Sequence, residues 1–445
     1  MLNTEAPLPR ITTSMQWLNQ AEGLIPSATQ TLAKGPSQHV RGIAPVFAKR
    51  GYGATIVDVD DQEYLDYTMA VGPLSLGYCF PEIDDAIRGQ LDNGIVFSLP
   101  HHLEVEVATL IRDVVPNVER VRFSKTGADV VSAAVRLARA HTGRSTIVCC
   151  GYHGWHDWYI GVTDRHAGIP QSIRDLTFTF AYNDVESVLS AIDDDTAAIV
   201  LEPTVVESPE NNFLQDLRRI CDDRGIILVF DEMWTGFRLA LGGAQEYYGV
   251  RADLICFSKA IANGMPLSVL CGRADIMDRL EEDVFWFTTF GGETLSLAAA
   301  QATIHFMQGH DVIGHLDVVG RRLSGALLEL TADLGISWLY TKGYPARTMI
   351  TYDSNVVDPL IVRSYLQQEL LRYAILWNGF FTLSYSHTVA DIDRTVAAFM
   401  EILPQLAKHV HDGTLRSALE GEPVGPVFRR TGNFNMRPRT VTVEV

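Results

Sequence analysis

Short apolar runs and amphipathic segments alternate along the chain from about residue 80 onward. The first part of this pattern predicts helices near 82–93 and 104–114, a strand near 119–124 and a helix over about 128–142. Six β-rich runs of the type found in strands buried on both faces follow: TIVCC, TFTFAY, AAIVLEP, IILVFDE, DLICFSK and LSVLCG. This alternation predicts an α/β fold in which helices cover a mainly parallel sheet of the seven-stranded type.

The two ends of the chain follow different patterns. Residues 14–24 predict a short helix, and alternation around Asp60-Asp61 predicts a β-hairpin. Beyond about residue 310 the pattern changes to long helices, with strands near 347–352 and 381–385 and a last helix near 389–410. We therefore predict a peripheral amino-terminal segment, a large central domain and a smaller carboxy-terminal domain, with segment boundaries 1–70, 71–310 and 311–445.

Composition limits the classes of protein that need to be considered. Of the 445 residues, 47% are hydrophobic and 20% are charged, as in an ordinary globular protein. The formal net charge of -18 disfavours a nucleic-acid partner, which requires clustered lysine and arginine. The six cysteines have no C-x-x-C spacing, and no metal site is indicated. Because the chain lacks a leader pattern and a run of about 18 apolar residues, we expect a cytoplasmic protein with no membrane partner.

Two of the predicted strands are followed closely by a charged side chain. Asp231 closes the run IILVFD, and Lys259 ends the segment DLICFSK. Ligands of open parallel sheets lie beyond the carboxyl ends of the strands, so both side chains are predicted to face one crevice. From these two residues alone, a structural ion pair and a catalytic pair are equally good interpretations.

A third segment favours the catalytic interpretation. The stretch KTGADVVSAAVRLARAHTGR begins with Thr-Gly and continues into an amphipathic helix, whose first N–H groups and dipole suit a phosphate. Lys125 precedes this helix in a second copy of Phe-Ser-Lys, either as a charge added to the phosphate site or as a solvated loop lysine. A phosphate cradle, a carboxylate and a lysine are the groups that pyridoxal phosphate requires, and we assign the lysine role to Lys259.

With these motifs the chain resembles the class III aminotransferases of fold type I, a family that includes glutamate-1-semialdehyde 2,1-aminomutase. The resemblance covers most of the chain and rests on motifs in a consistent order: IVDVDDQEYLDY, RLARAHTGR, CGYHGW, VLEP, VFDEMWTGFR, DLICFSKAIANGMP and GGETLSLAAA. It implies a pyridoxal 5'-phosphate enzyme whose large domain binds the cofactor and whose smaller α+β domain is built from the N- and C-terminal segments together. It also implies a homodimer with shared active sites, acting on a small-molecule amino donor and an oxo acceptor.

The resemblance assigns roles to individual residues. It implies that Lys259 is the Schiff-base residue and that Asp231 is the partner of the pyridine nitrogen, which makes these two the catalytic pair. The other implied cofactor contacts are Thr126, Gly127 and Ala128 at the phosphate, Tyr152 and Met233 on the two faces of the pyridine ring, His153 in the packing around the cofactor, and Glu202 nearby without an assigned role. Thr289 is similar to the threonine that reaches the phosphate of the neighbouring subunit.

Departures from the family pattern bear on the substrate. Thr126-Gly127-Ala128-Asp129 replaces Ser-Gly-Thr-Glu, and Glu293-Thr294 replaces Asn-Pro. The arginine that holds a substrate carboxylate in the aminomutase has no counterpart, since Arg41 falls several residues away. Together with the aromatic cluster GYHGWHDW, the motifs look most like those of relatives that aminate an aldehyde or ketone on a sugar or aminoglycoside precursor. The alternatives are an aminomutase of the glutamate-1-semialdehyde type, a cofactor-dependent epimerase and, remotely, a non-catalytic binding protein.

Overall fold

The computed structural model describes residues 7–204, 206–426 and 437–439. It divides the chain into two compact units. The first unit comprises Met1–Phe80 and Gly314–Phe428, and the second comprises Pro81–Ile313 and Arg429–Val445. The segment boundaries given above stay a prediction, and their outermost positions, 1 and 445, lie outside the described residues.

The helices and strands are numbered in chain order. The α-helices are α1 (Thr12–Leu24), α2 (Pro81–Leu91), α3 (His102–Val114), α4 (Gly127–Thr142), α5 (Asp157–Ile160), α6 (Gln171–Arg174), α7 (Val185–Ala191), α8 (Phe213–Arg224), α9 (Gly243–Tyr248), α10 (Ala274–Met277), α11 (Arg279–Glu282), α12 (Thr294–Gly309), α13 (Val312–Asp333), α14 (Pro359–Arg372) and α15 (Val389–His411). The β-strands are β1 (Ala48–Tyr52), β2 (Thr55–Asp58), β3 (Glu63–Asp66), β4 (Arg120–Ser124), β5 (Thr146–Cys150), β6 (Thr177–Thr179), β7 (Thr196–Leu201), β8 (Ile227–Asp231), β9 (Leu254–Phe257), β10 (Ser268–Gly272), β11 (Leu339–Tyr344), β12 (Arg347–Tyr352), β13 (Ile375–Leu376) and β14 (Phe380–Thr382).

The second unit contains a seven-stranded sheet in the order β4-β10-β9-β8-β7-β5-β6. Strand β10 runs antiparallel to both of its neighbours, and the other pairings are parallel. The predicted mainly parallel sheet of seven strands is therefore confirmed. Because β10 alone is reversed, the carboxyl ends of β4, β5, β7, β8 and β9 lie at the same edge of this sheet.

Burial explains why the strands of this sheet are so readable in the sequence. Every residue of β5, β7, β8, β9 and β10 is buried, which requires continuous apolar runs. Helix α4 covers the central strands with a face rich in alanine, valine and leucine. Its first turn is stabilised by a capping box, and Gly143 ends it in the left-handed conformation that glycine adopts at little cost.

The first unit contains two smaller sheets, ordered β1-β2-β3-β13 and β11-β12-β14. The predicted hairpin is present as β2 and β3, with Asp61 in the left-handed conformation at the turn. Strand β13 pairs with β3 in parallel, so the two ends of the chain share one sheet. Strands β1 and β11 were not predicted, because their sequences AKRGY and LYTKGY carry no apolar run; β1 is largely exposed, and β11 is buried only at its two ends. Across the described ranges, no helix has both the length and the apolar character needed to span a membrane.

Candidate active site

Four predicted site residues follow the carboxyl ends of four adjacent strands. Asp231 is the last residue of β8, and Lys259 lies two positions beyond the end of β9. Glu202 directly follows β7, and His153 lies three positions beyond the end of β5. Since β5, β7, β8 and β9 are neighbours and run in the same direction, their side chains meet at one edge of the sheet.

Asp231 is held by two hydrogen bonds in a buried position. Its Oδ2 lies 2.8 Å from Nδ1 of His153, and its Oδ1 accepts a hydrogen bond of 3.1 Å from the backbone N–H of Met233. The other ring nitrogen of His153, Nε2, lies 3.1 Å from the carbonyl oxygen of Cys150, which can only accept. Both ring nitrogens of His153 are thus directed at hydrogen-bond acceptors, Nδ1 at the carboxylate of Asp231 and Nε2 at a backbone carbonyl oxygen.

Glu202 is the second carboxylate at this edge. Its Oε2 accepts a hydrogen bond of 3.0 Å from the backbone N–H of Tyr152. Burial, reinforced by the charge of Asp231, raises the pKa of Glu202, although His153 and Lys259 act in the opposite direction. The two carboxylates and the lysine therefore influence one another electrostatically within one crevice.

The backbone at Lys259 has an unusual conformation. Its φ is 50°, in the left-handed region that non-glycine residues rarely adopt, and such conformations cost about 1–3 kcal/mol. Lys259 opens a short 3-10 turn that extends to Ala262, and the hydroxyl of Ser258 donates a hydrogen bond of 2.7 Å to the carbonyl of Leu267. The lysine is half-buried, between the fully buried residues Phe257 and Ala260. The surrounding structure thus holds the backbone of Lys259 in a strained conformation, as is frequent at functional sites.

The amino terminus of α4 lies at the position of the predicted phosphate cradle. Oγ1 of Thr126 accepts a hydrogen bond of 3.3 Å from the N–H of Asp129, and Oδ2 of Asp129 accepts one of 3.1 Å from the N–H of Thr126. The N–H groups of Gly127 and Ala128 lie in the first turn, where no preceding helical carbonyl is available. A Cβ placed on Gly127 would lie 2.7 Å from Sδ of Met233, so only glycine fits at this position without a shift. These features fit a bound phosphate group.

Lys125 is an ion-pair partner rather than a solvated loop lysine. Its Nζ lies 2.9 Å from Oε2 of Glu293, and the two side chains are only 18% and 12% exposed. Glu293 also caps α12, because it accepts hydrogen bonds from the N–H of Leu295 and the hydroxyl of Ser296, both at 2.6 Å. Burial acts to raise the pKa of Glu293, but the hydrogen bonds from Ser296 and Lys125 outweigh it, so that the pKa is lowered.

The remaining predicted residues lie at the surface of the site. Tyr152 is partly exposed, and its ring meets that of Tyr159 edge to face at 5.7 Å. Met233 is half-buried against Gly127. Thr289, by contrast, is exposed in the segment that precedes α12. No group of three or more His, Cys, Asp or Glu side chains in the described ranges is arranged to hold a metal ion.

Comparison with known proteins identifies the family. The family model named aminotransferase class-III matches residues 37–351. The chain belongs to the class-III aminotransferases. This class-III aminotransferase is 32% identical over 414 residues to 3-aminobutyryl-CoA aminotransferase of Cloacimonas acidaminovorans (strain Evry), with 90% of this chain and 98% of that protein covered. It is 33% identical over 419 residues to glutamate-1-semialdehyde 2,1-aminomutase of Archaeoglobus fulgidus, with 87% and 100% covered.

The solved structures agree with this family. The FumI protein of Sphingopyxis sp. MTA144, solved in a PLP-bound form, superposes with a TM-score of 0.83 at 28% identity, covering 92% of this chain and 99% of that one. The predictions of fold type I, of a class-III aminotransferase and of pyridoxal phosphate as its cofactor are confirmed. The assignment to the sugar subgroup and the roles of individual residues stay predictions.

Two features of the site were missed from the sequence. The pairing of His153 with Asp231 carries no sequence signal, because the two residues are 78 positions apart and β7 lies between their strands. The partner of Lys125 had an indirect signal, since Glu293 was recognised as a departure from the family pattern. Its acidic character, opposite an unexplained lysine at a helix terminus, was the available clue.

Proposed function

We propose that this class-III aminotransferase moves an amino group from an amino-acid donor to an aldehyde or ketone carbon of a second small molecule. The observation that carries the proposal is the arrangement of Asp231, hydrogen-bonded to His153, at the same sheet edge as Lys259. A binding protein of this fold would need neither a strained lysine nor a buried carboxylate with a histidine behind it.

Each residue has a separate proposed task. When bound, pyridoxal phosphate supplies an aldehyde that captures amines and a ring that accepts electrons. With the cofactor bound, Asp231 would accept a hydrogen bond from the ring nitrogen, and His153 orients that carboxylate through its contact at 2.8 Å. Nζ of Lys259 would provide the amine that holds the cofactor and would then move a proton at the substrate carbon. The N–H groups of Gly127 and Ala128 would hold the phosphate, with Thr126 fixing the turn.

We further propose a cytoplasmic homodimer in which Thr289 reaches the phosphate site of the second copy. Thr289 is supported in this role by its exposure and by three largely exposed phenylalanines in the same segment, Phe285, Phe287 and Phe290. A cluster of exposed aromatic side chains is typical of a surface that a partner covers. Light scattering of the purified protein tests the dimer, and a monomer that retains full activity contradicts it.

The proposed acceptor is a carbonyl group on a sugar or aminosugar. Tyr152 and Trp155 support this choice, because their exposed aromatic rings follow β5 at the edge that carries the site. A second candidate is an aminomutase, which is favoured by the 33% identity to glutamate-1-semialdehyde 2,1-aminomutase. The absence of a counterpart to the aminomutase arginine argues against that candidate.

Half-reactions with single amino donors test the proposal. The holoenzyme is mixed with each amino acid, and conversion of the cofactor to its pyridoxamine form is followed by absorbance. We expect at least one donor to release its oxo acid stoichiometrically, after which oxidised sugars are screened as acceptors. Isomerisation of a substrate without oxo-acid release would instead identify an aminomutase or an epimerase.

A further inference from the structure

The peptide unit that joins Gly151 to Tyr152 is held by a hydrogen bond at each end. Its carbonyl oxygen, on Gly151, accepts a hydrogen bond of 2.7 Å from the hydroxyl of Tyr159. Its N–H, on Tyr152, donates one of 3.0 Å to Oε2 of Glu202. Tyr159 is a buried residue of α5, whereas Glu202 directly follows β7. Because the peptide is planar, a rotation of this unit would break both hydrogen bonds.

The backbone at Gly151 is adapted to this arrangement. Its φ of 115° lies in the region that glycine adopts at little cost and other residues rarely do. A Cβ placed on Gly151 would lie 2.7 Å from Oε2 of Glu202, the same oxygen that accepts the hydrogen bond from Tyr152. A side chain at position 151 would therefore displace the carboxylate from the peptide that it holds.

The fixed peptide leads directly into two residues of the candidate site. Tyr152, which is expected to cover one face of the pyridine ring, is 47% exposed, so the direction of its ring depends largely on its backbone. His153, the next residue, is buried and contacts Asp231 at 2.8 Å. The ring of Tyr159 meets the rings of Tyr152 and His153 edge to face, at 5.7 and 5.2 Å. Tyr159 therefore contacts both side chains and also holds the peptide that precedes them.

We propose that Tyr159 and Glu202 are positioning residues of the active site. By fixing the peptide that precedes Tyr152, they direct the Tyr152 ring toward the bound cofactor. The same peptide sets where His153 meets Asp231. This inference rests on the proposed function for the roles of Tyr152 and His153, but the two hydrogen bonds do not depend on it. Glu202 keeps an acceptor oxygen whether it is ionised or protonated, so glutamine can replace it here and alanine cannot.

Amide hydrogen exchange of the holoenzyme tests whether the peptide is held in this way. We expect exchange at the N–H of Tyr152 to accelerate about three- to tenfold in Tyr159→Phe and about tenfold or more in Glu202→Ala, which removes its acceptor. Glu202→Gln should stay within about twofold of wild type. The matched control is Tyr67→Phe, which removes the hydroxyl of a fully buried tyrosine in the first unit, 2.6 Å from Oγ1 of Thr395. This control should leave exchange at Tyr152 unchanged.

Titration of the same full-length variants with pyridoxal phosphate tests the consequence for the site, followed by the absorbance and circular dichroism of the bound cofactor. Tyr159→Phe and Glu202→Ala should raise the dissociation constant about three- to tenfold and weaken the dichroism, because the Tyr152 ring loses its fixed direction. Glu202→Gln should restore both readouts. Tyr67→Phe should lower the melting temperature about as much as Tyr159→Phe does and change neither readout, which separates positioning from loss of stability.

Unchanged exchange at Tyr152 in both Tyr159→Phe and Glu202→Ala would overturn the proposal. Faster exchange with unchanged cofactor affinity and dichroism would overturn it as well, because the held peptide would then have no effect on the site. Equal losses in Glu202→Gln and Glu202→Ala would exclude Glu202 as the acceptor that matters. If Glu202→Ala does not fold, Tyr159→Phe, which keeps the aromatic ring, carries both measurements. Neither measurement requires amino transfer, so failure of every amino donor would contradict the proposed function alone.

Discussion

The tripeptide Phe-Ser-Lys occurs twice, at 123–125 and 257–259, and the two lysines differ in backbone conformation and in the charged groups around them. Both lysines follow the end of a strand at the same edge of the seven-stranded sheet. Lys125 is neutralised by Glu293 at 2.9 Å. Lys259 is held in a left-handed backbone conformation among buried residues. Identical local sequences therefore acquire different chemistry from what the fold places around them.

The carboxylates near the two lysines have pKa values that are shifted in opposite directions. The pKa of Glu293 is lowered, because the hydrogen bonds from Ser296 and Lys125 outweigh the effect of burial. The pKa of Glu202 is raised, because burial and the charge of Asp231 outweigh the influence of His153 and Lys259. One lysine thus belongs to a structural ion pair, and the other to a crevice in which negative charge is disfavoured and a proton is readily kept.

The largest expected effect comes from removing Lys259. We expect Lys259→Ala to lose turnover by about 10³-fold or more, because in the proposed mechanism the amine would both hold the cofactor and move the proton. Borohydride treatment followed by peptide mapping should find no cofactor attached to the variant. Lys125→Ala is the matched control from the other tripeptide, and it should keep the attachment. Labelling of the peptide that contains Lys125 would reverse the assignment.

Asp231→Asn tests the buried carboxylate in the crevice of Lys259, which has no counterpart in the Lys125–Glu293 pair. The amide keeps the shape of the side chain but cannot carry its charge, so in the proposed mechanism the ring nitrogen would no longer be held protonated. We expect kcat to fall about 10²–10³-fold at saturating cofactor, by comparison with the removal of other preorganised electrostatic contacts. Steady-state kinetics with the best amino donor measures this. Wild-type turnover in Asp231→Asn would exclude the proposed role.

A smaller effect is expected when the Lys125–Glu293 pair is broken. Lys125→Ala and Glu293→Gln should each raise the dissociation constant of pyridoxal phosphate about three- to tenfold, because the pair connects the phosphate turn to the start of α12. Turnover at saturating cofactor should remain within about twofold of wild type. The double variant should raise this dissociation constant no further than the more affected of the two single variants, because the two side chains belong to one interaction. Additive losses would show that the two side chains act separately.

The smallest expected effect is on stability: the contributions of Glu293 and Glu202 to the free energy of unfolding should depend on pH in opposite ways. Glu293 has a lowered pKa, so its contribution to stability is present above its ordinary value of 4.5 and is lost as the pH falls through the lowered value. Glu202 has a raised pKa, so its contribution is present below 4.5 and is lost as the pH rises through the raised value. Urea unfolding of wild type, Glu293→Gln and Glu202→Gln between about pH 3 and 8 should give differences of about 1 kcal/mol with opposite slopes. Parallel slopes would contradict the assigned shifts.

Much of the second unit was predictable because its signals are local. The apolar runs that became β5, β7, β8, β9 and β10 are long enough to identify without knowledge of their neighbours. The start of α4 was visible as Thr-Gly before an amphipathic stretch, because helix capping involves only nearby residues. Strands β1 and β11 were missed for the converse reason, since neither contains a continuous run of buried apolar residues.

The amino-acid sequence was sufficient to locate Lys259, Asp231 and the turn at 126–128, because each is marked by its own strand or helix boundary. It was not sufficient for their partners. His153 and Asp231 are 78 residues apart, and Lys125 and Glu293 are 168 apart. Their contacts depend on the order in which non-consecutive strands pair, which arises from the packing of the whole sheet and leaves no mark in any short segment.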